Sequence, residues 1–142
     1  MKHLRISVFM VSVLALLSIA YLATDATGAD PTSAKWLSSP ASAAKKNPIP
    51  PTQNAIAAGQ KIYLKTCMNC HGKTGDADGP AVIELNIHPA RLSDPQLNTE
   101  SDGALFWKIT TGKKPMPAYG KRLSETDRWN LVNYIRSMPK HY

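Results

Sequence analysis

Cysteine is scarce in this sequence, and several common patterns are missing from it. Only two cysteines occur among 142 residues, so no second pair is available to complete a four-thiolate zinc site. No run of residues alternates between apolar and polar side chains, which predicts a single all-α domain. The net charge is +7, but no arginine-rich stripe with interleaved aromatic residues occurs, so nucleic-acid binding is not expected.

The first 29 residues have the pattern of an export signal. Lys2 and Arg5 precede an uncharged run of 17 residues, 6–22, and small residues follow up to Ala29. The positive residues are expected to stay in the cytoplasm, which sends the rest of the chain to the periplasmic side of a bacterial inner membrane. The run is long for a signal peptide and short for a membrane span, so residues 1–29 fit either a cleaved signal peptide or a membrane anchor.

Residues 30–51 differ in composition from the segments on either side. They are rich in Pro, Ala, Ser and Lys and show no helical or strand period. This composition predicts a linker, followed by a folded domain over residues 52–142. A linker of this length suits a chain whose other end is fixed in a membrane, which favours the anchor slightly.

Capping residues and apolar stripes predict three helices in the domain. The first is predicted over residues 53–66, after an N-cap at Thr52. The second is a short helix from Ser101 or Asp102 to Gly112. The last begins at Ser124, with Asp127 as its capping-box partner, and ends before Pro139. Gly59 lies inside the first helix, where glycine costs about 1 kcal/mol relative to alanine. It therefore predicts the close approach of another helix. Loops are expected around residues 72–100 and 111–123.

The two cysteines stand in the sequence C-M-N-C-H, residues 67–71. A redox dithiol of the thioredoxin kind requires a βαβ context, which is missing, and a simple disulfide would not need the histidine. C-x-x-C-H is the attachment sequence of c-type haem. In this interpretation the thiols of Cys67 and Cys70 add to the haem vinyl groups, and His71 lies under the iron.

Four segments resemble the class I c-type cytochromes, the small bacterial monohaem kind. They are A-A-G-Q-K-I-Y-L-K-T-C-M-N-C-H-G, G-D-A-D-G-P-A, D-G-A-L-F-W-K-I-T-T-G-K-K-P-M-P-A-Y and L-S-E-T-D-R-W-N-L-V-N-Y-I-R-S. The resemblance covers roughly residues 48–138. It implies a cytochrome c-like fold, with a few helices wrapped around one covalently attached haem c. The N-terminal hydrophobic helix and the linker would precede this fold. The resemblance also implies that the first and last helices cross at Gly59.

Met116 is the expected sixth ligand of the iron. It lies in a polar loop between Pro115 and Pro117, where a methionine is a poor core filler, and it matches the axial methionine of the family. Ligation by histidine and methionine raises the reduction potential. His88 is the rival ligand and would lower the potential, whereas Met138 is expected to pack in the core.

The resemblance implies further roles close to the haem. The other ring nitrogen of His71 is expected to donate to a backbone carbonyl near Pro80. Arg91 and Trp107 are candidates for contact with the haem propionates, with solvent exposure as the alternative for Arg91 and core packing for Trp107. Ala77 replaces a glycine of the G-x-G-D-G-P pattern common in relatives, which leaves the shape of this loop open.

Two filled axial positions leave no open site for a substrate. The sequence therefore predicts a one-electron carrier in a periplasmic electron-transfer or respiratory chain, and not an enzyme by itself. One alternative is a haem-based gas sensor, which requires a sixth site that is open or easily vacated. Another is a cytochrome subunit of a larger oxidoreductase complex. Peroxidases of this kind usually carry two haem motifs, and this chain has one.

Basic residues flank the loop of the expected sixth ligand. They are Lys113, Lys114, Lys121 and Arg122. In the family the exposed haem edge lies beside such a loop, so a basic rim there is expected to attract redox partner proteins with an acidic docking surface. A membrane contact is expected only through residues 6–22.

Overall fold

A computed structural model describes residues 36–141 of the chain. The chain divides into two units, residues 1–36 and 37–142, and the second contains the helices that follow. The predicted export signal or anchor, residues 1–29, lies outside the described residues. Among residues 36–141, no helix is long and apolar enough to cross a membrane.

The described unit is helical, which confirms the predicted all-α fold. In chain order the elements are α1 Pro40–Ala43, α2 Gln53–Thr66, α3 Met68–His71, α4 Ala81–Glu84, a 3₁₀ helix Pro95–Thr99, α5 Asp102–Thr111 and α6 Glu125–Ser137. Within residues 36–141 the β-type backbone pairing is a single isolated bridge between Lys113 and Met116. The short helix α4 and the 3₁₀ helix lie in the region that the sequence predicted as a loop.

Side-chain caps start the three main helices where the sequence predicts them. The Thr52 hydroxyl accepts the Ala55 N–H at the start of α2, at 3.2 Å. Ser101 caps α5 in the same way. At α6 the Ser124 hydroxyl accepts the Asp127 N–H, and the Asp127 carboxylate accepts the Ser124 N–H. Each cap satisfies backbone donors that the first helical turn leaves unpaired.

Helices α2 and α6 cross at Gly59, as predicted. A β-carbon built on Gly59 would overlap the carbonyl oxygen of Asn130 and lie 2.9 Å from the β-carbon of Tyr134. One turn further along α2, the ring of Tyr63 packs against that of Tyr134, with the ring centres 5.2 Å apart. Glycine therefore allows the two helix backbones to meet more closely than any other residue would.

The core is built around α6, which packs against both α2 and α5. The rings of Phe106 and Trp129 stack with their centroids 3.9 Å apart. Tyr63, Leu131 and Val132 are completely buried. The Arg128 guanidinium lies 4.7 Å from the centre of the Phe106 ring, which closes this end of the core.

The predicted linker, residues 30–51, is partly folded, because residues 37–51 pack onto the helical unit. The Asn47 amide donates to the Trp129 carbonyl at 3.2 Å and to the Asn133 side-chain oxygen at 2.8 Å. The Asn133 amide in turn donates to the Ile49 carbonyl at 3.1 Å. Side-chain amides make these contacts, and they need no periodic pattern of apolar residues. The search for a helical or strand period in residues 30–51 therefore could not detect them.

Candidate functional site

The C-M-N-C-H sequence forms one helical turn directly after α2. The N–H groups of Cys70 and His71 both donate to the Cys67 carbonyl, at 3.1 and 2.9 Å. The two thiols are unpaired and half-buried. Their spacing of three residues puts them on neighbouring positions of the same helical face. Burial raises the pKa of the Cys67 thiol, against the opposing effect of a hydrogen bond with Thr66.

The His71 ring is oriented by a backbone carbonyl. Its Nδ1 lies 3.0 Å from the carbonyl oxygen of Ala90. A carbonyl only accepts hydrogen bonds, so Nδ1 carries the proton and Nε2 keeps its lone pair. Burial lowers the pKa of His71, although the bond to Ala90 opposes this shift, and the neutral form is the one that ligates metals.

The acceptor of His71 differs from the residue that the resemblance implied. Ala90 accepts the ring proton, whereas Pro80 is the N-cap of α4 and is exposed. The loop between Pro80 and Ala90 folds back, so that the Leu92 and Ser93 N–H groups donate to the Gly75 carbonyl and Ala90 lies beside His71. The prediction of a backbone carbonyl is confirmed, and its placement near Pro80 is wrong.

The loop after His71 wraps around the turn and holds it. The Ala77 N–H donates to the His71 carbonyl at 2.9 Å. Ala77 has a φ of 62°, in the left-handed region that glycine adopts without cost, so the alanine keeps a loop conformation that suits glycine. At Gly79 a β-carbon would lie 2.6 Å from the Met68 carbonyl oxygen, so only glycine allows this approach.

The loop of Met116 is closed by its own backbone and attached beside the turn. Lys113 and Met116 exchange both backbone hydrogen bonds, at 3.1 and 2.8 Å. Three residues later, the Tyr119 hydroxyl donates to the Thr66 carbonyl at 3.0 Å, next to Cys67. Burial raises the pKa of Tyr119, and the two cysteine thiols contribute. The structure therefore brings the Met116 loop to the C-M-N-C-H turn, and the Met116 side chain is half-buried against the core.

The other candidate ligands are placed differently. His88 is exposed, two residues before Ala90. Met138 is buried in the core, as predicted, with 5% of its surface exposed. Trp107 is half-buried in α5, and Arg91 pairs with Asp76 at 3.2 Å. Among residues 36–141, no cluster of three or more His, Cys, Asp or Glu side chains suits a bare metal ion.

Asp76 is a residue that the sequence reasoning did not single out. Its carboxylate accepts hydrogen bonds from four side chains, Thr74 and Ser93 at 2.6 Å, His141 at 2.7 Å and Arg91 at 3.2 Å. The bonds from Ser93 and Thr74 are the main reason that the pKa of Asp76 lies well below its usual range. His141 reaches this cluster from the C-terminal tail. No spacing in the sequence signals this cluster, because its members come from three separate segments.

The residues of the turn and loop fit a c-type haem. Two unpaired thiols suit covalent attachment, and the free Nε2 of His71 and the thioether of Met116 are donors that would bind the haem iron. The fit rests on the chemistry of the donors and on the hydrogen bond that selects the tautomer of His71.

Comparison with known proteins identifies a matching family and similar cytochromes. The family model described as cytochrome C oxidase, cbb3-type, subunit III, matches residues 54–135, more than half of the chain. Cytochrome c6 of a Synechococcus species is 32% identical over 100 residues, which cover 70% of this chain and 76% of that protein. Cytochrome c6 of Alaria esculenta is 34% identical over 82 residues, which cover 56% of this chain and 87% of that protein.

Two solved structures share the fold. One belongs to the Kuenenia stuttgartiensis reducing HAO-like protein complex Kustc0457/Kustc0458, at 32% identity and a TM-score of 0.57. That match covers 66% of this chain and 47% of the other, so this chain spans less than half of that protein's length. The KustC0563 c-type cytochrome matches at 24% identity and a TM-score of 0.51, covering 58% of this chain and 98% of the other, which shows the fold alone. From the family match, the cytochrome c6 relatives and the fold, we conclude that this chain belongs to the class I c-type cytochromes and is a haem-based electron carrier.

Proposed function

We propose that the chain carries one electron at a time on a single haem c, attached through Cys67 and Cys70 and ligated by His71 and Met116. The observation that carries the proposal is the hydrogen bond from Nδ1 of His71 to the Ala90 carbonyl, because it leaves Nε2 free to ligate. When bound, haem c supplies reversible one-electron chemistry.

The thiols have a structural task in this proposal. Cys67 and Cys70 would hold the haem through thioether bonds to its two vinyl groups, an addition that would need no oxidant or reductant. Cys67 ends α2, and Cys70 lies within the following turn. Two covalent links to one helical turn would hold His71 of the same turn close to the haem.

Met116 decides between a carrier and a site that binds gases. Its backbone is closed onto Lys113 by two hydrogen bonds, and its loop is attached to α2 through Tyr119. A ligand held in this way would stay in place in both oxidation states, so electron transfer would need little rearrangement of the protein. It also denies the iron to substrates, which favours a carrier over an enzyme or a gas sensor.

An absorption spectrum of the purified holoprotein tests the ligation. We expect a sulfur–iron charge-transfer band in the ferric form and no shift of the ferrous spectrum with carbon monoxide. Met116→Ala should lose the band and bind carbon monoxide, whereas Met138→Leu, a change at a buried methionine of the core, should keep both features of the wild type. Ready carbon monoxide binding by the wild type would support the gas sensor instead.

The basic rim around the Met116 loop supports docking to an acidic partner. Lys113, Lys114, Lys121 and Arg122 are all exposed, and residues 112–123 contain no acidic side chain. Such a rim accelerates the encounter with an acidic surface and makes the association rate depend on salt. We propose that redox partners approach from this side.

A second candidate is a cytochrome subunit of a larger oxidoreductase complex. The match to one chain of the Kuenenia stuttgartiensis complex favours it. We also propose that the chain works on the periplasmic side of a bacterial inner membrane, because residues 1–29 have the pattern of an export signal. Native mass measurement of the protein from membranes and from the soluble fraction tests both points. A monomer of the mass expected after cleavage supports a free carrier, whereas co-purifying subunits support the complex.

A further inference from the structure

We propose that Asp76 is a positioning residue for His71. It holds residues 90–93 in the place where the Ala90 carbonyl meets Nδ1 of His71, and it thereby tunes the reduction potential. This inference rests on the ligation by His71 proposed above, and it concerns how the protein sets the properties of that ligand.

The first support is the position of the groups that bind Asp76. Ser93 and Arg91 lie three residues and one residue after Ala90, and both donate to the same carboxylate oxygen, at 2.6 and 3.2 Å. The Ser93 side chain is completely buried. Asp76 therefore anchors residues 90–93, the segment that supplies the acceptor of His71.

The second support is the backbone around Asp76. The N–H groups of Leu92 and Ser93 donate to the Gly75 carbonyl, at 2.6 and 3.1 Å. The Ala77 N–H donates to the His71 carbonyl at 2.9 Å. Residues 75–77 thus contact both the backbone of His71 and residues 90–93. These contacts fix the position of the Ala90 carbonyl relative to His71.

The C-terminal residues Lys140 and His141 also hold residues 90–93 in place. The His141 ring donates to Asp76 at 2.7 Å, and the His141 N–H donates to the Ser93 carbonyl at 3.1 Å. The Lys140 ammonium donates to the Leu92 carbonyl at 2.6 Å. Residues 90–93 are therefore held by side chains from two separate parts of the chain.

The chemical consequence acts through the basicity of the imidazole. A well-placed acceptor at Nδ1–H increases electron donation from the ring to a bound metal, which stabilises the ferric state and lowers the potential. An ionised carboxylate is a stronger acceptor than a neutral group, so it holds its donors in place more firmly. If the segment is loosened, the bond at Nδ1 weakens and the potential rises.

Two neutral substitutions separate positioning from the electric field of the carboxylate. Ser93→Ala and Thr74→Val each remove a hydroxyl that lies 2.6 Å from Asp76 and leave its charge in place. Only Ser93 belongs to the segment that carries Ala90. In the holoprotein we expect Ser93→Ala to raise the midpoint potential and to speed the solvent exchange of the His71 Nδ1 proton in the reduced form, measured by NMR. Thr74→Val should leave both at the wild-type values.

A charge substitution provides a second test should Ser93→Ala fail to fold. Arg91→Gln removes a positive charge, and the field alone would lower the potential, whereas positioning predicts a rise. Lys73→Gln removes the same charge from an exposed residue of the same loop and should show the fall alone. A rise in Arg91→Gln against a fall in Lys73→Gln supports the proposal.

Three outcomes overturn the inference about Asp76. They are wild-type potential and exchange in Ser93→Ala, equal shifts in Ser93→Ala and Thr74→Val, or a fall in Arg91→Gln equal to that in Lys73→Gln. An absorption spectrum of the wild type without histidine–methionine features would instead overturn the proposed ligation. The two proposals therefore fail in distinguishable ways.

Discussion

The Tyr63 hydroxyl donates a 2.7 Å hydrogen bond to the carbonyl of Gly72, the residue that follows His71. Tyr63 is completely buried at the crossing of α2 and α6. The bond links the helix crossing to the turn that carries the proposed ligand. Burial is also the main reason that the pKa of Tyr63 is raised, so the phenol stays protonated and able to donate.

Replacing Tyr63 with phenylalanine should destabilise the holoprotein. The change keeps the aromatic contact but leaves a buried carbonyl without its donor, which costs about 1–3 kcal/mol in the free energy of unfolding. Chemical denaturation measures the loss. Tyr134→Phe is the control, because it keeps the ring that packs on Tyr63 and should change the free energy by less than about 0.5 kcal/mol. Equal effects of the two variants would contradict the role of the hydroxyl.

Gly59→Ala should separate α2 from α6. Helix propensity alone would gain about 1 kcal/mol. The new methyl group would overlap the Asn130 carbonyl, and such overpacking costs about 1–3 kcal/mol or more. We expect a net loss of stability by chemical denaturation. Gln60→Ala, at an exposed position of the same helix, should have little effect, and a stabilised Gly59→Ala variant would show that the helices do not meet at this residue.

Asp76 should make stability depend on pH on the acid side. Its pKa in the folded protein lies below the usual value of 3.8, so the unfolded chain binds the proton more readily. The stabilisation is therefore complete above the unfolded pKa and is lost as the pH falls from there towards the lowered value. Asp76→Asn should flatten this part of the stability curve, measured by denaturation across acidic pH. Glu84→Gln, at an exposed residue outside the cluster, serves as the comparison, and a curve for Asp76→Asn parallel to the wild type would contradict the assignment.

Reversing charge on the basic rim should slow the association with an acidic redox partner. Lys114→Glu combined with Lys121→Glu should lower the rate constant by about tenfold at low salt, and the difference should shrink as salt is added. Stopped-flow electron transfer from an acidic donor protein measures both quantities. Lys61→Glu combined with Lys65→Glu changes the same net charge on exposed residues of α2. An equal loss in this pair would indicate a global charge effect and not a docking surface.

Asn47→Ala should show that the segment before α2 belongs to the folded unit. The amide donates to two acceptors on α6, and removing it leaves both without this donor. We expect a loss of about 1–2 kcal/mol in the free energy of unfolding. Lys46→Ala, at the exposed neighbouring residue, should be close to neutral. If Asn47→Ala is also neutral, residues 37–51 behave as a linker.

Local patterns in the sequence were enough to predict the main helices and the residues of the proposed site. The N-caps at Thr52, Ser101 and Ser124 are confirmed, as is the close approach at Gly59. Each N-cap depends on residues within one helical turn, and the close approach depends on a single glycine. Attachment through Cys67 and Cys70 and ligation by His71 and Met116 stay predictions, which the spectra described above test.

By itself the sequence determined the family, the helices and the set of candidate ligands, because spacings of a few residues encode them. Only the tertiary structure decided which groups support His71. The Ala90 carbonyl lies 19 residues from His71, His141 lies 65 residues from Asp76, and Asn47 lies 82 residues from Trp129. Contacts over such separations depend on the path of the intervening loops, and a carbonyl acceptor has no side-chain identity that a sequence pattern can display.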